Sequence, residues 1–260
     1  MSTVTQRIRQ IKQPRGGYIK PSMFEQHSFD DGIVLNTNEN ISPAIIGMVV
    51  DYLTRFMMGT KINDAFSISM LGAECAEDYY NQIGSIDIAK ELLFNITDLD
   101  DYSIINACKL VSYDVWYRNP CNAFMAKGVD ETNPDVDTIE NIRIMVKRSL
   151  NFWKEYGPIV KDGFNFEPNG YTRTVTSGDG DFLTADTLWD FKVSKDKPKP
   201  KNTLQLLMYW IMGKHSGQEI YDNIDKIGIF NPRLNVAYIL DTSLISDEVI
   251  EEVENDIICY

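Results

Sequence analysis

Hydrophobic positions along the chain follow two different periods, and the change of period divides it. From Ile41 to about Tyr156 apolar residues recur every three or four positions, the spacing that lines one face of a helix. The pattern is clearest in Ile45–Met58, Ile86–Ile96, Tyr102–Tyr117 and Ile139–Tyr156, and Ser69–Tyr80 reads as a further helix. Asp101 and Asp137 stand where N-cap side chains would accept the free amides of the last two long helices. The turn-rich segments Arg118–Cys121 and Lys127–Pro134 separate these helices.

From Tyr171 onward the alternation becomes that of strands. Tyr171–Thr176, Asp181–Thr184 and Thr187–Val193 are predicted strands, with Ser177-Gly178-Asp179-Gly180 a tight turn between the first two. A Lys/Pro-rich loop, Ser194–Lys201, follows, and its prolines exclude a continuing strand. Leu204–Lys214 then reads as a helix, Lys226–Phe230 and Val236–Leu240 as strands, and Ser246–Ile258 as an acidic helix. No internal repeat is present. The expected fold is α/β (or α+β), a central mixed sheet flanked by helices. It is expected as one domain over residues 1–260, with a mainly helical part to about residue 160 and a strand-rich core from 161.

Composition narrows the class. At 43% hydrophobic and 24% charged, the chain has the profile of a globular domain. Its apolar runs, around Ile41–Val50 and Leu204–Gly213, fall well short of the roughly 20 residues that span a bilayer. The polar N-terminus lacks an apolar h-region, so no secretory signal and a cytoplasmic location are expected. Cys75, Cys108, Cys121 and Cys259 form no CxxC pair, which fits free thiols better than a zinc ribbon. A net charge of −13 argues against a protein that coats nucleic acid non-specifically. Two local basic segments stand against that background. Residues 1–20 carry Arg7, Arg9, Lys12, Arg15 and Lys20 with no acid, and Lys192, Lys195, Lys197, Lys199 and Lys201 are interrupted only by Asp196.

The chemistry gathers between Asp181 and Tyr209. On a strand, Asp190 and Lys192 point to one face and Phe191 to the other. If the preceding strand pairs as a hairpin, Asp181 approaches Asp190, and two carboxylates supply the hard oxygen ligands that Mg²⁺ prefers. Gln205 and Tyr209, four apart on a helix, share a face. Each element alone is weak, because a DxK tripeptide is more often a surface ion pair. Their order and spacing together are more specific.

That run, Ser177-Gly-Asp-Gly-Asp181, Trp189-Asp190-Phe-Lys192 and Gln205-xxx-Tyr209, resembles the RecB-type nuclease branch of the PD-(D/E)xK superfamily. The resemblance covers about 35 residues. It implies a restriction-endonuclease-like core, a divalent metal (Mg²⁺ or Mn²⁺) and phosphodiester hydrolysis, with DNA the expected substrate. Carried over, Asp181, Asp190 and the Phe191 carbonyl bind metal, Lys192 orients or activates water, and Gln205 and Tyr209 support the site. The family also places an acid on an earlier helix; Glu74 is the first choice and Glu77 the second. Some members of the branch hold an iron–sulfur cluster through three grouped C-terminal cysteines, but here only Cys259 is terminal, so no cluster is expected. There is no GxxxxGK[ST] run and hence no ATP motor. The helical half is open to substrate channelling or to a protein partner, and oligomeric state, cleavage mode and DNA against RNA are left open. The rival is a non-catalytic nucleic-acid or protein-binding module that retains the fold.

Overall fold

The computed structural model describes residues 2–260. In chain order the first elements are β1 (Ser2–Thr3), α1 (Val4–Gln10), β2 (Glu25–Ser28), α2 (Pro43–Met57), α3 (Ile62–Ala65), α4 (Ser67–Tyr80) and α5 (Ser85–Phe94). Next come α6 (Asp101–Val111), α7 (Asp114–Arg118), α8 (Val136–Tyr156), β3 (Lys161–Phe164), β4 (Val175–Ser177), β5 (Gly180–Leu183) and β6 (Thr187–Phe191). The chain closes with α9 (Pro200–Ser216), β7 (Lys226–Asn231), β8 (Val236–Asp241), α10 (Asp247–Glu252) and a π-helical turn, Val253–Ile258. These elements form two compact units, residues 31–151 and residues 2–30 with 152–260.

The second unit is mixed α/β. Its six-stranded sheet runs β2-β8-β7-β6-β5-β3. Only β6 and β7 are parallel, and α9 is the helical crossover that a parallel pair requires. All five residues of β6 are buried, as expected of a strand covered on both faces. Leu188 and Asp190 face α9, in a core with Leu183, Leu204, Leu207, Ile227, Ile229 and Leu240. Trp189 and Phe191 face the other way. There Phe152 stacks on Phe230 with centroids 3.9 Å apart, and Trp189 meets Phe152 edge-on at 5.0 Å. Gly228 makes room for the indole, since a Cβ there would lie 2.5 Å from Trp189 Cε3.

The first unit is helical. α4 packs on α7, where Gly72 lets the backbones close: a Cβ at 72 would stand 2.1 Å from the Tyr113 carbonyl oxygen. Asp114, fully buried, accepts hydrogen bonds from Ser69 Oγ (2.5 Å), Tyr52 Oη (2.7 Å) and Arg118 Nε (3.4 Å).

The expected elements were found with several differences. The helix expected over Tyr102–Tyr117 breaks at Ser112–Tyr113 into α6 and α7. Asp100, not Asp101, caps α6 by accepting from Ser103 N, and Asp135, not Asp137, accepts from Thr138 N at the start of α8. In both cases an adjacent acid competes for one geometric position. The expected strand over Tyr171–Thr176 shrinks to β4, which pairs in parallel with β1 and not with β5. Ser177–Gly180 is therefore no hairpin turn; the antiparallel neighbours of β5 are β3 and β6. The division near residue 160 is also redrawn. Residues 2–30 join the strand-rich unit, because β2 pairs with β8, α1 packs on α9, and Thr203 Oγ1 donates to the Ile19 carbonyl at 2.6 Å. Among the described residues no helix is long and apolar enough to cross a membrane.

Candidate active site

Strand register places the two carboxylates. β5 and β6 pair Phe182 with Trp189 and Leu183 with Leu188. Continued by one residue, that antiparallel register sets Asp181 opposite Asp190, both on the α9 face. Asp181 Oδ2 accepts the Phe191 backbone N–H at 2.6 Å, which ties the end of β5 to β6. Lys192 lies one residue beyond β6, yet its N–H still bonds the Phe230 carbonyl (2.9 Å) and its direction continues the alternation. Its ammonium donates to Asp190 Oδ1 at 2.7 Å. The Phe191 ring packs between Phe182 and Phe230 on the opposite face, so only its backbone is available to the site.

The two glycines of the Gly178-Asp179-Gly180 run are there for packing. A Cβ at Gly180 would fall inside the Phe164 ring, 1.9 Å from Cζ. One at Gly178 would press 2.6 Å from Val4 Cγ2 and touch Tyr209. Tyr171 Oη donates to the Gly178 carbonyl at 2.6 Å and fixes the approach to Asp181.

On α9, Gln205 Nε2 donates to Tyr209 Oη at 2.8 Å, the i, i+4 pair that the helical spacing implied. Burial pushes the Tyr209 hydroxyl pKa up, and the negative charges of Asp190 and Asp181 push it further, against a smaller pull from the Gln205 hydrogen bond. The hydroxyl is neutral at any working pH, accepts from Gln205, and keeps its own proton to donate.

Asp190 is the unusual group. It is 2% exposed, and its second oxygen, Oδ2, is buried with no hydrogen-bond partner among the described residues. Leaving a charged acceptor dry and unpaired is costly. Burial pushes its carboxyl up to about 6; Lys192 opposes that shift and Asp181 adds to it. A divalent cation suits such a place. It would pair the orphan oxygen and offset the repulsion between the carboxylates. Mg²⁺ is usually held by one or two carboxylates, with waters and substrate phosphates completing its shell. Asp181 and Asp190 meet that requirement. No group of three or more His, Cys, Asp or Glu positioned for a metal occurs among the described residues.

The five residues Asp181, Asp190, Lys192, Gln205 and Tyr209 all belong to the strand-rich unit. Glu74 belongs to the helical unit, on the exposed face of α4. Glu77 has a structural task there, accepting the Ile86 N–H (2.9 Å) at the start of α5. Sequence reasoning missed Asn231, at the end of β7. Its amide donates to the Ser194 carbonyl at 2.8 Å and holds the loop that leaves Lys192. A lone Asn before a proline carries no signal of that role.

No known protein family, no curated protein and no solved structure matches the chain.

Proposed function

We propose that the chain is a divalent-metal-dependent nuclease that hydrolyses phosphodiester bonds, with DNA as the expected substrate. The observation that carries this reading is the arrangement on the α9 face. Two facing carboxylates, one with a buried orphan oxygen, stand beside a lysine that is itself one-third exposed. A module that only binds has no use for a dry, unpaired carboxylate oxygen, which is a cost to its stability.

Asp181 and Asp190 would hold a divalent cation, which when bound would supply Lewis-acid polarisation of a phosphate and a water of lowered pKa. The rest falls to the chain. Asp190 fixes the Lys192 ammonium through their 2.7 Å hydrogen bond, where the lysine is partly exposed to solvent. There the ammonium can orient a water for in-line attack and stabilise charge developing on the phosphoryl oxygens. As the water oxygen bonds to phosphorus it gives up one proton to solvent, and as the bond to the leaving oxygen breaks that oxygen takes one proton from solvent, so the hydrolysis balances. Asp181, fixed through the Phe191 amide, holds the spacing of the two carboxylates, and Tyr209 keeps a neutral donor beside them.

The test is cleavage of end-labelled linear, closed circular and single-stranded DNA, and of RNA, with Mg²⁺ or Mn²⁺. Lys192→Ala is expected to fold and to lose about 10²–10³-fold in rate, the usual loss for one charge-stabilising donor. If the wild-type chain cuts none of these substrates with either metal, the proposal fails.

A further inference from the structure

The Lys/Pro-rich loop between β6 and α9 does more than connect them. Together with the ends of β6 and β7 it walls an open pocket of about 320 Å³. Lys192 lines this pocket, and so do Lys197, Lys199, Lys201 and Asn202. The loop is held in shape. Asn231 binds Ser194, Lys199 N donates to Asn202 Oδ1 at 2.9 Å, and Pro198 and Pro200 restrict the backbone. The loop's one acid, Asp196, is engaged by Lys199 Nζ at 2.6 Å. No carboxylate lies within ion-pairing distance of Lys197 or Lys201 among the described residues.

A second basic segment reaches the same place. Gly17 packs so closely that a Cβ there would stand 2.8 Å from Pro200, the first residue of α9. Arg15 and Lys20, both exposed, flank that contact. Two segments far apart in sequence thus meet at the N-terminal end of one long helix, whose dipole also favours anions. Against a net charge of −13, these clustered cations make a local positive patch suited to an anion.

We propose that this pocket seats a backbone phosphate of the nucleic-acid strand, next to the phosphate being cut. Lys192 belongs to both places: it lines the pocket and touches Asp190. The inference rests on the nuclease reading of the neighbouring carboxylates. The ligand is a phosphodiester because a track of separate lysines neutralises successive phosphates without reading bases.

The test measures binding, not cleavage. Affinity of the full-length protein for a fluorescein-labelled 25-mer DNA, single-stranded and duplex, is followed by anisotropy in EDTA from 50 to 200 mM KCl. Lys197→Ala/Lys201→Ala is expected to weaken binding about tenfold or more at 100 mM salt. It should also flatten the log–log salt dependence by roughly 1.5–2, the value for two lost phosphate contacts. Lys197→Arg/Lys201→Arg should keep the slope, and Lys127→Ala/Lys147→Ala, in the helical unit, should stay within about twofold of wild type. A pocket variant with wild-type affinity and slope overturns the proposal, as does a wild-type chain that binds neither strand. The two readings fail separately. Binding with this slope but no cleavage in Mg²⁺ or Mn²⁺ leaves the pocket and removes the catalysis. Cleavage that depends on Asp190, with an unchanged slope in the pocket variant, does the reverse.

Discussion

Each unit of the molecule buries one aspartate, and the two are buried in opposite ways. Asp114 in the helical unit is fully enclosed, and its oxygens receive Ser69, Tyr52 and Arg118. Burial raises its pKa, and all three partners work against that rise. It is a closed network, and its evident product is the packing of α2, α4 and α7. Asp190 is buried almost as deeply, yet among the described residues only Lys192 hydrogen-bonds it and Oδ2 has no partner. An acid with every lone pair answered has nothing left to offer a ligand. An acid with one oxygen unanswered, facing a second carboxylate, carries a standing cost that a cation would remove. Burial alone does not separate the two aspartates; completeness of the hydrogen bonding does.

The largest effect should come from exchanging the fates of these two groups. Asp190→Asn is expected to remain folded and to lose at least about 10³-fold in cleavage rate, equivalent to roughly 4 kcal/mol of transition-state stabilisation. Asp114→Ala should keep its cleavage rate per folded molecule. It should lose about 2–4 kcal/mol of stability, because Tyr52 and Ser69 are left as buried groups without their acceptor. Denaturant melts alongside rate measurements check both. An active Asp190→Asn, or an Asp114→Ala as stable as wild type, would dissolve the distinction.

How far this contrast was legible in the sequence differs between the two sites. The strand-rich site was readable because its geometry is local. Alternation along β6 puts Asp190 and Lys192 on one face, one short connection brings Asp181 back beside them, and i, i+4 spacing pairs Gln205 with Tyr209. The Asp114 network was invisible, because its members lie 45 and 62 residues apart and only tertiary packing selects them. The same limit explains the missed edge strands. Glu25–Ser28 and Lys161–Phe164 have no apolar alternation; their backbones, paired with β8 and β5, hold them in the sheet. The helix expected to start at Leu204 begins at Pro200, because proline that excludes a strand also suits the first helical position.

A second way to sharpen the comparison is pH. In the metal-free protein the Asp190 carboxyl sits at about 6, against 3.8 for an ordinary aspartate. The folded state therefore holds this proton more tightly than the unfolded chain. The contribution to stability is fully present below about pH 4 and is lost as pH rises through about 6. By the linkage relation this loss destabilises the fold as pH rises. Asp190→Asn should abolish this fall and so be more stable than wild type at pH 7–8. Saturating Mn²⁺ should reverse the order, because the cation binds the ionised carboxylate and stabilises the fold by mass action. Asp114 is also shifted upward, so its contribution has the same sign, but Mn²⁺ should leave it untouched. Unfolding curves from pH 4 to 8, with and without Mn²⁺, read all of this. A wild-type curve that Mn²⁺ does not move would remove the cation from the Asp181–Asp190 pair.

The smallest effect concerns Tyr209, where the same question of completeness applies to a hydroxyl. Tyr209 and Tyr221 are both buried in the core between α9 and the sheet, and each makes one short hydrogen bond. Tyr221 donates to the Asn165 carbonyl at 2.7 Å, which uses its proton. Tyr209 accepts from Gln205, which leaves its proton for the carboxylates or the substrate. Tyr221→Phe should cost about 1 kcal/mol of stability and leave kcat unchanged. Tyr209→Phe should cost a similar amount of stability and lower kcat about tenfold, or roughly 1.4 kcal/mol in the transition state. The pH profile of the rate should not move, because a hydroxyl whose pKa is raised by burial and by the neighbouring charges of Asp190, Asp181 and Asp179 does not titrate in the working range. If Tyr209→Phe matches Tyr221→Phe in rate as well as in stability, Tyr209 is a packing residue. The functional surface then ends at the strands.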